Sequence, residues 1–130
     1  MYISEIKKLF KDIMYINDST DINVEKSLFL DYGMTSIDFI DFSFELKKKF
    51  NVDIDPNDLW PINKMATFEE NYSFQDKQWT PVGLVRLNEQ LIFSGKDKIS
   101  NPEIEFKELY NYFTLSYINA KLASFIHSEK

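Results

Sequence analysis

The sequence predicts an all-α domain, and three observations carry that prediction. Glycine and proline are scarce, at 3 and 4 of 130 residues, too few for a fold dense in tight turns. Hydrophobic residues make up 44% and aromatics 16%, enough to bury a core in one domain. Several stretches repeat apolar residues at helical spacing.

The first such stretch is the opening one. Ile3, Ile6, Leu9, Phe10, Ile13 and Met14 share a face, with lysines and acids opposite, which reads as an amphipathic helix. The polar run NDSTDINVEKS is a connection, pinned to the core by Ile22 and Val24. A second helix is expected from Thr35 or Ser36 to about Phe50. Ile37, Ile40 and Phe44, with Phe39, Phe42, Leu46 and Phe50 offset, give it more apolar surface than one core stripe needs. Asn51 is a plausible stop. Asp55-Pro56 reads as an N-cap followed by proline in the first turn, opening a short helix through Leu59 and Trp60.

Residues 67–79 show no clean period. Thr80 and Pro81 then cap and open a helix whose Leu84, Leu87 and Leu91 share a face, although Gly83 inside it costs about 1 kcal/mol against alanine. SGKDKISNPE is a loop. The stretch from Phe106 to Ile126 reads as helical, with Thr114 capping a helix that carries Leu115, Ile118 and Leu122 inward.

Composition and motifs exclude several functions. A formal net charge of -6 disfavours binding nucleic acid through its phosphates. No apolar run approaches membrane-spanning length, and the opening residues mix Glu5, Lys7, Lys8, Lys11 and Asp12 through the apolar ones, unlike a signal peptide. The expectation is a cytoplasmic monomer without a membrane partner. The chain has no cysteine, hence no thiolate metal site or cysteine nucleophile. Its one histidine, His127, lies three residues from the end of the sequence and is a poor base for Ser36. Asp53, Asp55 and Asn57 begin a calcium-loop pattern, but Asp58 stands where glycine is needed and Lys64 where glutamate is needed. No metal site and no catalytic residue is expected. Trp60 and Trp79 are read as core rather than as a ligand box.

Ser36 is the residue left over. A serine here is a favoured N-cap, and Asp38 suits the first turn. The same place also favours a phosphate on the hydroxyl, because a helix N-terminus presents unpaired N–H groups and partial positive charge. Gly33 lets the chain turn tightly just before it.

At these residues the chain resembles the acyl carrier and peptidyl carrier protein family. That family's signature runs roughly Asp-Leu-Gly-x-Asp-Ser-Leu-Asp, and Asp31, Gly33, Ser36 and Asp38 match it, with Ile37 a mild replacement. The upstream EKSLFLDYG, the downstream IDFSFELKKKFNVDI and the closing FTLSYINAKL are similar to the family's approach, second helix and last helix. The likeness covers about residues 1–65 and 113–126. It implies a four-helix acyl-carrier-like bundle, a single carrier domain over 1–130, with a long insertion at about 66–112 that carries an extra helix between the third and last helices.

The resemblance further implies a covalent 4'-phosphopantetheine, taken from coenzyme A and placed on Ser36 by a magnesium-dependent phosphopantetheinyl transferase. The arm's thiol would hold an acyl or aminoacyl group as a thioester. Loading and processing enzymes of a lipid or specialised-metabolite pathway, fatty acid or polyketide biosynthesis among them, would do the chemistry, so the chain itself is expected to be no enzyme. Asp31, Thr35, Ile37, Asp38, Asp41 and Glu45 would form the recognition surface. The chain departs from the family in having Thr35 where an acid often precedes the serine, and in following its acidic residues with Lys47, Lys48 and Lys49. The alternative is an unmodified carrier-like subunit that uses the insertion as its interface.

Overall fold

The computed structural model describes residues 2–73 and 75–128. Helix α1 (Ile3–Met14) buries Ile6 and Phe10 and ends at Tyr15, whose φ of 56° turns the chain left-handed. Helix α2 (Ser36–Phe50) buries Phe39, Phe42, Ser43 and Leu46 and stops at Asn51, at φ 52°. The two pack together, with the Phe10 and Phe42 rings edge to face at 5.8 Å. The short helices α3 (Pro56–Leu59) and α4 (Ile62–Ala66) flank Pro61. Helix α6 (Leu115–Ser128) closes the bundle against α1 and α3. Leu115, Tyr117, Ile118 and Leu122 are wholly buried on it.

The cap expectations hold with one shift. Asp55 opens α3, its N–H donating to Asp58 Oδ2 at 3.2 Å. Thr80 opens α5 (Pro81–Leu91), its Oγ1 accepting from the Gly83 N–H at 3.1 Å. Thr114 Oγ1 accepts from the Tyr117 N–H at 3.1 Å. At α2, however, the N-cap is Thr35 and Ser36 is the first helical residue. Both side chains could cap; a capping box needs its acid three residues on, and Asp38 stands at that distance from Thr35.

The connection between α1 and α2 is held by the approach to α6. The Leu28 N–H donates to Phe113 O at 3.0 Å, the Ser27 hydroxyl to Tyr110 O at 2.8 Å, and the Ser116 N–H to Val24 O at 3.0 Å. Ile22 is buried and Val24 packs on the core beside it. This loop delivers Ser36, so its anchoring fixes where α2 begins.

Residues 67–112 contain what the sequence left without a period. A 3-10 helix (Thr67–Asn71) leads into a hairpin of two-residue strands, β1 (Tyr72–Ser73) and β2 (Gln78–Trp79), pairing Tyr72 with Trp79 and Ser73 with Gln78 antiparallel. Helix α5 follows with Leu87 and Leu91 buried and Leu84 partly so, joining the same core. The loop after it is clamped by Asn88, which donates to Ile99 O at 3.0 Å and accepts from the Ile99 N–H at 2.7 Å. The stretch read as helical from Phe106 onward divides into a 3-10 helix (Phe106–Tyr112), a break at Phe113, and then α6. The break lets Phe113 turn wholly inward against Trp60, with ring centres 4.6 Å apart.

One buried cation stands in this core. Lys121 is 8% exposed, donates to the Tyr117 hydroxyl at 3.3 Å, and sits over the Phe93 and Tyr117 rings. Desolvation pulls its pKa down to about 8, with Asp58 opposing and Lys64 adding to the fall. The unfolded chain then holds the proton more tightly than the folded one between pH 8 and the ordinary lysine value of 10.5. Stability from this group therefore rises with pH across that window. Lys121→Met is expected to be more stable than the parent at pH 7 in urea unfolding, and to lose part of the rise above pH 8. Tyr112 and Tyr117 work the other way near pH 10, because burial raises both phenols.

Candidate functional site

Ser36 lies at the N-terminal end of a 15-residue helix. The loop reaches it through Gly33, whose φ of +69° is left-handed backbone that favours glycine. The space where a Gly33 Cβ would stand is open for 4 Å. Met34, which follows, is buried, and its N–H donates to Leu28 O at 3.0 Å. Thr35 then takes extended geometry and caps the helix, accepting from the Asp38 N–H at 3.1 Å. Asp38 Oδ2 reciprocates by accepting from the Thr35 N–H at 3.0 Å.

This box leaves the first-turn donors unequally used. The Asp38 N–H is taken by Thr35, and that of Phe39 by Thr35 O at 2.9 Å. The N–H groups of Ser36 and Ile37 are the two that a helix cannot satisfy for itself. The Ser36 side chain is exposed, and among the described residues no side-chain hydrogen bond engages its hydroxyl. The site is therefore an accessible hydroxyl beside two free donors at the positive end of a helix dipole.

A cavity of about 350 Å³ opens beside it, lined by Phe29, Leu30, Ser36, Phe39, Trp60, Ile62 and Tyr110. Its walls are almost wholly apolar. Trp60 is 1% exposed, and its indole Nε1–H has no acceptor among the described residues. An orphaned buried donor is costly.

The six residues expected to form a recognition surface divide in two. Ile37 is 71% exposed, Asp41 is exposed, and Glu45 is half-buried and paired with Lys48 at 3.0 Å. These three are presented along α2. The polar groups of Thr35 and Asp38 are spent on the cap, and Asp31 Oδ2 accepts from the Ser27 N–H at 2.7 Å, stiffening the turn before Gly33. Sequence reasoning assigned Thr35, Asp38 and Asp31 to partners without seeing these internal uses. It also left out Leu30, at 53% exposure, which continues the exposed Ile37, Ile40 and Phe44 around the serine. The apolar excess already noted on α2 was the signal that could have found this patch. Such a patch marks an interaction surface more often than chance.

Among the described residues no group of three or more His, Asp or Glu is placed to hold a metal. No helix among them is long and apolar enough to cross a membrane. The His127 side chain lies outside the described ones. Trp60 and Trp79 are both core residues, at 1% and 7% exposure.

Comparison with known families agrees with this geometry. Residues 4–67 match the family described as the phosphopantetheine attachment site, a span from α1 through α4 with Ser36 near its middle. Comparison with curated proteins and with solved structures returned no significant match. Residues 4–67 therefore carry the match to the phosphopantetheine attachment family, the domain on which 4'-phosphopantetheine is covalently held, consistent with an acyl or peptidyl carrier protein.

Proposed function

We propose that Ser36 is the attachment residue, and that the chain is a non-catalytic, cytoplasmic carrier whose acyl or aminoacyl cargo is passed between partner enzymes. The observation that supports this most is the free, exposed Ser36 hydroxyl on the first turn of a capped helix inside the matched span. When bound, 4'-phosphopantetheine supplies the thiol that the cysteine-free chain lacks.

The residues present fit that group. Ser36 would hold the phosphodiester through its Oγ, and the free N–H groups of Ser36 and Ile37 face the helix end where an anion is favoured. The cavity that Ser36 and Trp60 both line gives the arm an apolar wall to lie against. Asp38 keeps its carboxylate turned back to the Thr35 N–H. Leu30, Ile37, Ile40 and Phe44 give partners an apolar contact, and Asp41 and Glu45 set the charge that basic partners meet.

The test is intact mass after incubation with coenzyme A, magnesium and a broad-specificity phosphopantetheinyl transferase. A gain of one phosphopantetheinyl group is expected for the parent and no gain for Ser36→Ala. An unchanged parent, or a Ser36→Ala variant that still gains the group, overturns the proposal.

A further inference from the structure

A second cavity lies away from Ser36, within residues 65–106. Its volume is about 380 Å³, inside the range of small-molecule sites. Met65, Ile104 and Trp79 are buried and make its apolar interior, with Tyr72 and Phe106 half-buried beside them. The Trp79 ring is fixed, because its Nε1–H donates to Ile104 O at 3.0 Å and it meets the Tyr72 ring edge to face, with centres 5.1 Å apart. Two exposed carboxylates, Glu69 and Glu105, join the lining, and among the described residues no cationic side chain does.

We infer that this cavity binds a small organic cation, an amine with an apolar body. Tyr72, Trp79 and Phe106 line the cavity, and aromatic rings attract a positive charge. The carboxylates add Coulomb attraction next to an apolar wall, where it is screened less than in open water. Glu105 already pairs with Lys107 at 3.3 Å, whereas no ion pair among the described residues uses Glu69. Arg86 is committed to Glu70, the neighbouring acid, at 3.3 Å and lies over the Phe68 ring. A neutral ligand would gain only the burial of its body. An anion would gain that burial against two like charges.

Three probes of one size separate these cases: phenethylammonium, 2-phenylethanol and phenylacetate. Each is titrated into the full chain while the Trp79 indole N–H resonance is followed by NMR. A saturable shift is expected with phenethylammonium, binding about fivefold weaker with the alcohol, and none with phenylacetate. Glu69→Gln is expected to weaken the amine about fivefold and leave the alcohol unchanged. Alcohol binding as tight as the amine, an amine affinity insensitive to Glu69→Gln, or no saturable shift at Trp79 would each overturn the inference.

Discussion

Trp60→Ala is expected to lower the unfolding free energy by about 3–5 kcal/mol. Trp60 is the largest side chain among the fully buried ones and joins three parts of the fold. Its ring lies 4.6 Å from Phe113, 5.4 Å from Tyr117 and 6.1 Å from Tyr110. Removing it opens a hole between α3, the 3-10 helix before α6, and α6 itself. The neighbours are large rings already packed on Phe29 and Phe39, so they have little room to collapse inward. Since whole domains are stable by only about 5–15 kcal/mol, the loss is a large share of the total. Urea unfolding checks it through a lower midpoint at an unchanged slope. Trp60→Phe separates packing from polarity, because it keeps much of the volume and deletes the orphaned N–H. It is expected to cost far less than the alanine variant. Equal losses for both would show that the indole nitrogen, not the ring, carries the effect.

Gly83→Val is the second large case, and here two effects oppose each other. Glycine inside a helix is poor, and replacing it by a better helix former is worth up to about 1 kcal/mol. A Cβ at this position, however, would lie 2.7 Å from Asn71 O, 2.9 Å from Asn71 Cβ and 3.0 Å from the Trp79 ring. Asn71 O is backbone and cannot swing aside, because it accepts from the Thr80 N–H at 2.7 Å and so helps fix the start of α5. Steric overlap therefore wins, and valine, with two further methyls, is expected to cost about 2–3 kcal/mol in urea unfolding. Gly83→Ala should already be destabilising. An alanine variant as stable as the parent would mean that α5 is free to move off the 3-10 helix.

The contrast at Gly83 shows what sequence reasoning reached and what it missed. Its position in a helix was readable from Thr80, Pro81 and the three leucines. The reason for a glycine was not, because Asn71 and Trp79 approach it through a hairpin whose strands have two residues each. Strands that short show no alternation, so a period of two has nothing to act on. Phe106–Tyr112 misled for a related reason: a 3-10 turn brings residues i and i+3 together, much as an α-helix does. Helices α1, α2 and α6 were legible because each runs 12 residues or more and buries one stripe. At the site, the signature around Ser36 was readable from order alone. The division of labour within it was not. Thr35, Asp38 and Asp31 had to be seen in hydrogen bonds with Ser27 and with each other before their structural use separated from the exposure of Ile37 and Asp41. The cavity under Ser36 draws on Phe29, Trp60 and Tyr110, which lie up to 81 residues apart and which no local pattern connects.

A carrier role for this chain depends on which oxygen receives the arm. The direct measurement is proteolysis of the phosphopantetheinylated protein followed by fragmentation of each peptide. The added mass should fall on Ser36 alone, with Ser4, Ser19, Ser27, Thr35 and Ser43 bare. Attachment at any of those others, or a mixture among them, would contradict it.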